Sequence, residues 1–278
     1  MQRPSFDKKY LSRELGKIAS KITKPVTLFI IGGGGLAFYG LKEATKDIDV
    51  ILQNPDELKI LAKALRDLKY RTPSSHIITK AYREMQASEI LENEDGFRWD
   101  IFIQQVCNAL TFSAAMKSRA TEIYAKGSLK AFLAAKEDIF LFKGITEREA
   151  DLDDMRLLAE SSLNWSIITR ECRNQSTSTG RLWENALYQK LIDLKEKHHI
   201  EAPIERALRK RAEEKLVEIT LIEEIRKGND TVNAISEAIK EPEYFVRESL
   251  NKLTRKKLIK IDKTRRPYIY SSIDNFEN

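Results

Sequence analysis

Four consecutive glycines, Gly32 to Gly35, stand directly after the apolar run Val26-Thr-Leu-Phe-Ile-Ile. The run is β-branched and apolar, with Pro25 before it and glycine after it, and so reads as a buried strand. The glycines break it, and a helix is expected to start at Leu36 and run to Leu41. A strand that ends in glycines ahead of a helix presents bare backbone N–H groups, which can cradle phosphate oxygens.

A second strand is predicted at Asp47-Ile-Asp-Val-Ile-Leu. Asp47 and Asp49 lie at i and i+2, so the twofold period of a strand points both carboxylates to one face. Two like charges that close repel and are costly unless they bind a cation. A third strand is predicted over 97–103, after the turn-like Asn93-Glu-Asp-Gly, and it carries Asp100 among apolar and aromatic neighbours. If it lies beside the Asp47 strand, three hard-oxygen ligands converge. Such a set suits Mg²⁺ (or Mn²⁺) bridging to a triphosphate, with an in-line attack at phosphorus. Phe97 and Trp99 read as core residues.

The rest of the chain limits the classes open to it. Its 278 residues allow two domains, each with a core. Its apolar runs fall far short of the roughly 20 residues needed to span a bilayer, so no membrane partner is expected. The start of the chain lacks an apolar signal segment, and the two cysteines, Cys107 and Cys172, sit outside any metal-ligand spacing. A cytoplasmic location is expected, with neither a disulfide framework nor a zinc site. His76, His198 and His199 fall near no acid in sequence and are not expected to bind metal. Helices are predicted over 8–22 and from Pro55-Asp56, where Leu58, Leu61, Ala62, Leu65 and Leu68 recur at helical spacing. From Leu129 to about His198 the pattern is almost all helical.

Taken together, Ile31-Gly-Gly-Gly-Gly-Leu-Ala-Phe-Tyr-Gly, Thr45-Lys-Asp-Ile-Asp-Val-Ile-Leu and Arg98-Trp-Asp-Ile-Phe-Ile resemble the DNA polymerase β-like nucleotidyltransferase superfamily. The likeness covers roughly residues 25–160. It implies an α/β (α+β) nucleotidyltransferase fold. It also implies metal ligation and catalysis by Asp47, Asp49 and Asp100, and phosphate-loop roles for Gly33 and Gly34. Many active members have Ser at the second glycine position, so one hydroxyl contact is missing here. Within the superfamily the chain looks like the AbiEii/MenT-type toxins of toxin–antitoxin systems. There a helical lysine, here Lys143, is implied to contact the NTP. Arg148, Asp151 and Asp154 share a helix face as either a substrate site or an internal ion-pair network that holds Lys143.

The tail is a separate matter. Between Arg247 and Arg266 stand nine Lys or Arg against two acids, an excess of seven where the whole chain carries six. Such a cluster is the footprint of a surface that meets phosphates. Three helices are predicted: 216–226 with Leu216, Ile219, Ile222 and Ile225 on its face, then 232–239, then 244–257 with Val246, Leu250 and Leu253 buried. A hairpin made by 258–261 and 268–270 follows. This order is similar to winged helix-turn-helix domains, which implies that Arg247, Asn251, Arg255, Lys263, Arg265 and Arg266 face nucleic acid, DNA or RNA. The expected organisation is a nucleotidyltransferase domain over 1–160, a helical linker region over 161–204 and a winged helix over 205–278, with a homodimer open. The expected function is transfer of a nucleoside monophosphate from an NTP to an acceptor such as RNA. The alternatives are a DNA-binding regulator whose nucleotide-sensing domain is catalytically silent, and an antitoxin-like scaffold.

Overall fold

The computed structural model describes residues 3–73, 86–146 and 148–273. Two compact units emerge, Met1–Glu205 and Arg206–Asn278. The first is built on a six-stranded mixed sheet: β2 (Val26–Ile31), β4 (Asp47–Leu52), β5 (Glu89–Glu92), β6 (Arg98–Ile103), β9 (Thr121–Lys126) and β10 (Leu129–Leu133). Their order is β5-β6-β4-β2-β10-β9, with β4 antiparallel to β2 but parallel to β6. Two short pairs lie outside this sheet, β1 (Phe6–Asp7) with β3 (Ala44–Thr45) and β7 (Gln105–Val106) with β8 (Leu110–Thr111).

Alternation along each strand decides which residues enter which core. Ile48, Val50 and Leu52 of β4 join Leu28, Ile30, Trp99 and Ile101 under two helices, α1 (Lys8–Ala19) and α3 (Pro55–Asp67). Phe97 and Trp99 are fully buried there, as the sequence predicts. Asp47 and Asp49 therefore take the opposite face, together with Phe29, whose ring packs at a tilt against Phe112 and Phe132. That face belongs to the second half of the unit: α4 (Ala114–Arg119), α5 (Lys136–Gly144), α6 (Ala150–Glu160), α7 (Trp165–Thr179) and α8 (Trp183–His198). In α5, residues 138–144 are all buried, so this helix runs through the core and not along a surface.

Local chemistry explains the element ends. Asn54 caps α3 by accepting from the N–H groups of Asp56 and Glu57, and Pro55 takes the first turn, where no donor is needed. Glu57 then turns its carboxylate back onto the strands, accepting from Thr27 N–H at 3.0 Å and Gln53 N–H at 2.8 Å. Asp7 caps α1, its Oδ1 accepting from Tyr10 N–H at 2.8 Å.

Three expectations need correction. The helix after β2 does not wait for Leu36: α2 spans Gly32–Phe38 and takes in all four glycines. Glycine is a poor helix former, but here tertiary packing overrides propensity. A Cβ on Gly35 would stand 2.7 Å from Ile139 Cδ1 and one on Gly34 3.1 Å from Ile48 Cγ1, so only bare backbone fits. The stretch 129–198 is almost all helical as expected, but it does not begin so: β10 opens it. β9 was not predicted either, although it forms a hairpin with β10 around Gly127, at φ +57°. Leu-Lys-Ala-Phe-Leu alternates buried and less buried positions in the sheet, yet its residues favour helices, so a five-residue run deceives.

The second unit carries α9 (Glu205–Arg226, of which all but Glu205 lies in it), α10 (Val232–Ile239), α11 (Glu243–Arg255) and the antiparallel hairpin of β11 (Ile259–Asp262) and β12 (Ile269–Ser272). Its core joins Leu221, Ile225, Ile235, Val246, Leu250, Leu253, Ile259 and Tyr270. The expected buried face of the first helix is the third correction. Leu216 is 60% exposed and Ile219 is also at the surface, while Leu221 is fully buried. Spacing by three drifts around a 3.6-residue turn, and the buried stripe follows Leu221 and Ile225. Among the described residues, no helix is long and apolar enough to cross a membrane.

Candidate functional site

β4 and β6 run parallel and in register, so Asp49 is the ladder partner of Asp100 and Asp47 that of Arg98. Register partners share a face, which puts Asp100 beside Asp49 with Asp47 two residues along the same strand. All three open into one pocket of about 260 Å³, together with Gly33, Thr45, Lys42, Lys143, Arg148, Asp151 and Asp154. Asp100 is the most buried of the three acids, and Asp49 is nearly so.

This placement is electrostatically uncomfortable. Burial pushes the Asp49 carboxyl well above the usual range, and the charges of Asp47 and Asp100 push it further, against weaker opposition from Lys143 and Arg148. Among the described residues, no three Asp, Glu, His or Cys side chains stand close enough to hold a metal as they are. Asp47 leans outward, its Oδ2 lying 3.4 Å from Arg3 Nη1.

The glycines divide their tasks in a way the sequence pattern did not reveal. The residue pressed on the acids is Gly32, in the left-handed region at φ +60°, where a Cβ would overlap Asp49 Oδ2 at 1.9 Å. Gly33 lines the pocket, with Thr45 Oγ1 2.6 Å from the place of its missing Cβ. Gly34 turns toward Ile48 and Leu11 in the core and is not among the pocket-lining residues.

Lys143, at the end of α5, is buried and doubly paired. Its Nζ lies 2.8 Å from Asp151 Oδ1 and 2.7 Å from Asp154 Oδ2. Thr146 Oγ1 donates to the other oxygen of Asp151 at 2.6 Å, and Arg148 Nε is 3.9 Å from it. Burial, the largest single effect, would raise both aspartates, but it is outweighed by Lys143 acting together with Arg148 and Thr146 at Asp151 and with Lys42 at Asp154. Both carboxyls end below the usual range, and Lys143 itself ends above the usual lysine value. Of the two readings the sequence left open, Arg148, Asp151 and Asp154 thus form the ion-pair network around Lys143, and they line the pocket as well.

Sequence reasoning missed Lys42. It lies between α2 and β3, and its Nζ donates to Asp154 Oδ1 at 2.8 Å. A lone lysine in a loop carries no periodic signal. His198 and His199 do not line the pocket, and His198 Nε2 is 2.9 Å from Asp153 Oδ1; His76 lies outside the described residues.

In the second unit, Arg247, Asn251, Lys263 and Arg266 line one groove of about 570 Å³ between α11 and the hairpin. The Arg266 guanidinium sits 4.1 Å from the centre of the Tyr268 ring. Arg255 is exposed in the last turn of α11, and Arg265 is exposed beside Asp262 at 3.5 Å; neither lines the groove. The face is not purely basic, since Glu243 pairs with Arg247 at 3.4 Å.

Residues 10–199, more than half of the chain, match the family described as "Nucleotidyltransferase of unknown function (DUF6036)". The protein belongs to that nucleotidyltransferase family. The match takes in the sheet, the three acids and the helices through α8, and ends just short of the second unit. A search of curated proteins found no match.

Proposed function

We propose that the protein moves a nucleoside monophosphate from an NTP to an acceptor hydroxyl, with RNA as the acceptor class, and that Asp47, Asp49 and Asp100 hold Mg²⁺ or Mn²⁺. The observation that carries this reading is the Asp49–Asp100 ladder pair, opening with Asp47 into the pocket that Gly33 lines. The donor set fits a divalent ion: all its ligands are hard carboxylate oxygens, and Asp49 suffers a like-charge penalty that such an ion would relieve. When bound, the ion would offset charge on the phosphates and orient them.

The chain's own groups supply the rest. In the transfer, the acceptor oxygen bonds to the α-phosphorus while the bond from that phosphorus to the α–β bridging oxygen breaks. Pyrophosphate leaves with the electron pair, and the hydroxyl proton passes to a carboxylate of the trio. Lys143 contributes its charge from the pocket wall, where Asp151 and Asp154 fix it in place.

We read the second unit as a winged helix that engages nucleic acid through Arg247, Asn251, Arg255, Lys263, Arg265 and Arg266. Its three helices followed by a hairpin support this, as does the groove in which four of these side chains meet. The test is incubation with each NTP, labelled at the α-phosphate, together with Mg²⁺ and total RNA. Label should enter RNA from the α-labelled nucleotide and not from the γ-labelled one. Transfer from the γ-label alone would mean phosphoryl transfer and overturn the proposal.

A further inference from the structure

Two lysines share one carboxylate at the pocket. Asp154 meets Lys143 through Oδ2 at 2.7 Å and Lys42 through Oδ1 at 2.8 Å. The two ammonium groups are not equivalent. Lys143 has a second carboxylate, Asp151, and its side chain is only 9% exposed. The Lys42 side chain is 36% exposed, and among the described residues Asp154 is the one acid it pairs with. Asp151 and Asp154 together balance the two lysines, so what distinguishes Lys42 is its single carboxylate partner and its exposure: it is the member of the pair that a ligand can reach.

Its position suits a ligand contact. Lys42 Nζ lies 3.8 Å from the place where a Cβ on Gly33 would stand, so the space left by that missing side chain lies next to the ammonium. The same pocket holds Asp47, Asp49 and Asp100. These acids repel phosphate oxygens that reach them without a cation, whereas Lys42 attracts them directly. A lysine ammonium is a compact charge on a flexible stem, able to turn from Asp154 toward an incoming anion.

We propose that Lys42 is a phosphate-binding residue that holds the β- and γ-phosphates of the triphosphate, with Asp154 as its resting partner. This rests on the reading of the pocket as a triphosphate site. It gives the direct contact to Lys42 and leaves Lys143 as the buried charge that keeps Asp151 and Asp154 in place. The polar end of the ligand is then sorted by charge: the α-phosphate lies toward the acids and the terminal phosphates toward Lys42.

Calorimetric titration of the full chain with an α,β-methylene NTP and with pyrophosphate, in Mg²⁺, tests this. The methylene bridge prevents turnover, so affinity is read without activity. Lys42→Ala should weaken both ligands by roughly 10-fold to 100-fold, the effect of losing a charge-assisted contact. Lys42→Arg should recover most of the loss, and thermal melting should show Lys42→Ala still folded. Unchanged affinity of Lys42→Ala for both ligands would overturn the assignment, as would failure of Arg to restore binding in a folded variant. If the wild-type chain binds neither ligand, the triphosphate reading of the pocket falls, and the Lys42 assignment with it. The wild-type titration therefore separates the two failures.

Discussion

Asp49 and Asp100 face each other as direct partners in the parallel ladder of β4 and β6. Neither strand alone brings two acids from distant parts of the chain to one point. The register does, and it sets them on the sheet face opposite Ile48, Val50 and Trp99. An arrangement that costs stability, inside a nucleotidyltransferase family domain, is what a site for a cation requires.

The cost can be measured. Asp49 has a folded carboxyl value above its unfolded one, so the native state keeps a proton that the unfolded chain releases. In that window stability falls as pH rises, and the full penalty is present above the raised folded value. Asp49→Asn should therefore abolish transfer yet raise the melting temperature of the metal-free protein, by about 2–4 °C for each ~1 kcal/mol relieved. A variant that is inactive because it melts well below wild type would show that Asp49 is structural.

Lys143 should behave in the opposite way. Its removal takes the shared buried cation from Asp151 and Asp154, leaving Asp154 to Lys42 and Asp151 to Thr146 and the more distant Arg148, so Lys143→Met should cost about 3–5 kcal/mol in urea unfolding. The pH dependence has two edges. Both aspartates sit below their unfolded values, so their contribution is present above the ordinary carboxylate range and is lost as pH falls through their depressed folded values. Lys143 sits above its unfolded value, so its share is present below the ordinary lysine value and is lost as pH rises through its raised one. A change below ~1 kcal/mol in Lys143→Met would show the cluster to be solvated.

Gly32 and Gly40 make a matched pair. Both have φ in the left-handed region, +60° and +71°, but a Cβ on Gly40 meets nothing within 4 Å while one on Gly32 overlaps Asp49. Gly40→Ala should cost only the backbone strain, about 1 kcal/mol, and leave activity near wild type. Gly32→Ala adds displacement of Asp49 and should eliminate transfer. Similar activity in the two variants would mean that Asp49 tolerates the shift.

The basic tail gives a salt test. Phosphate contacts release counterions, so nucleic-acid affinity should fall by roughly 10-fold to 1000-fold between 50 and 200 mM salt for a handful of contacts. Arg265→Ala with Arg266→Ala should weaken all sequences alike, because hairpin residues meet backbone. Arg247→Ala and Asn251→Ala should alter sequence preference, since both line the groove beside α11. Fluorescence anisotropy with duplex DNA and structured RNA reads each. Absence of binding to either at low salt would make this unit a protein-contact module.

Much of this could be read in the sequence because period and punctuation carried it. The Asp47/Asp49 alternation, the glycine-ended strand and the aromatic flanks of Asp100 each follow from local chemistry, and β2 and β4 begin and end where the residues predict. What stayed hidden depends on distant packing. Gly32, not Gly34, meets the acids, because the backbone conformation at the start of α2 is set by its contacts with β4. Lys42 was invisible because its meaning comes from Asp154, over a hundred residues away. β10 eluded the pattern because a short run of Lys, Ala and Leu looks helical until a neighbouring strand claims it, and β9 was missed with it as its hairpin partner.

The metal site can be tested through the ion itself. Free Mn²⁺ can be followed by electron paramagnetic resonance as the chain is titrated with an α,β-methylene NTP present. The wild-type chain should take up about one or two ions, and Asp49→Asn and Asp100→Asn should each lose that uptake while remaining folded. Equal Mn²⁺ uptake by the wild-type chain and both folded variants would contradict the assignment of these carboxylates as the metal ligands.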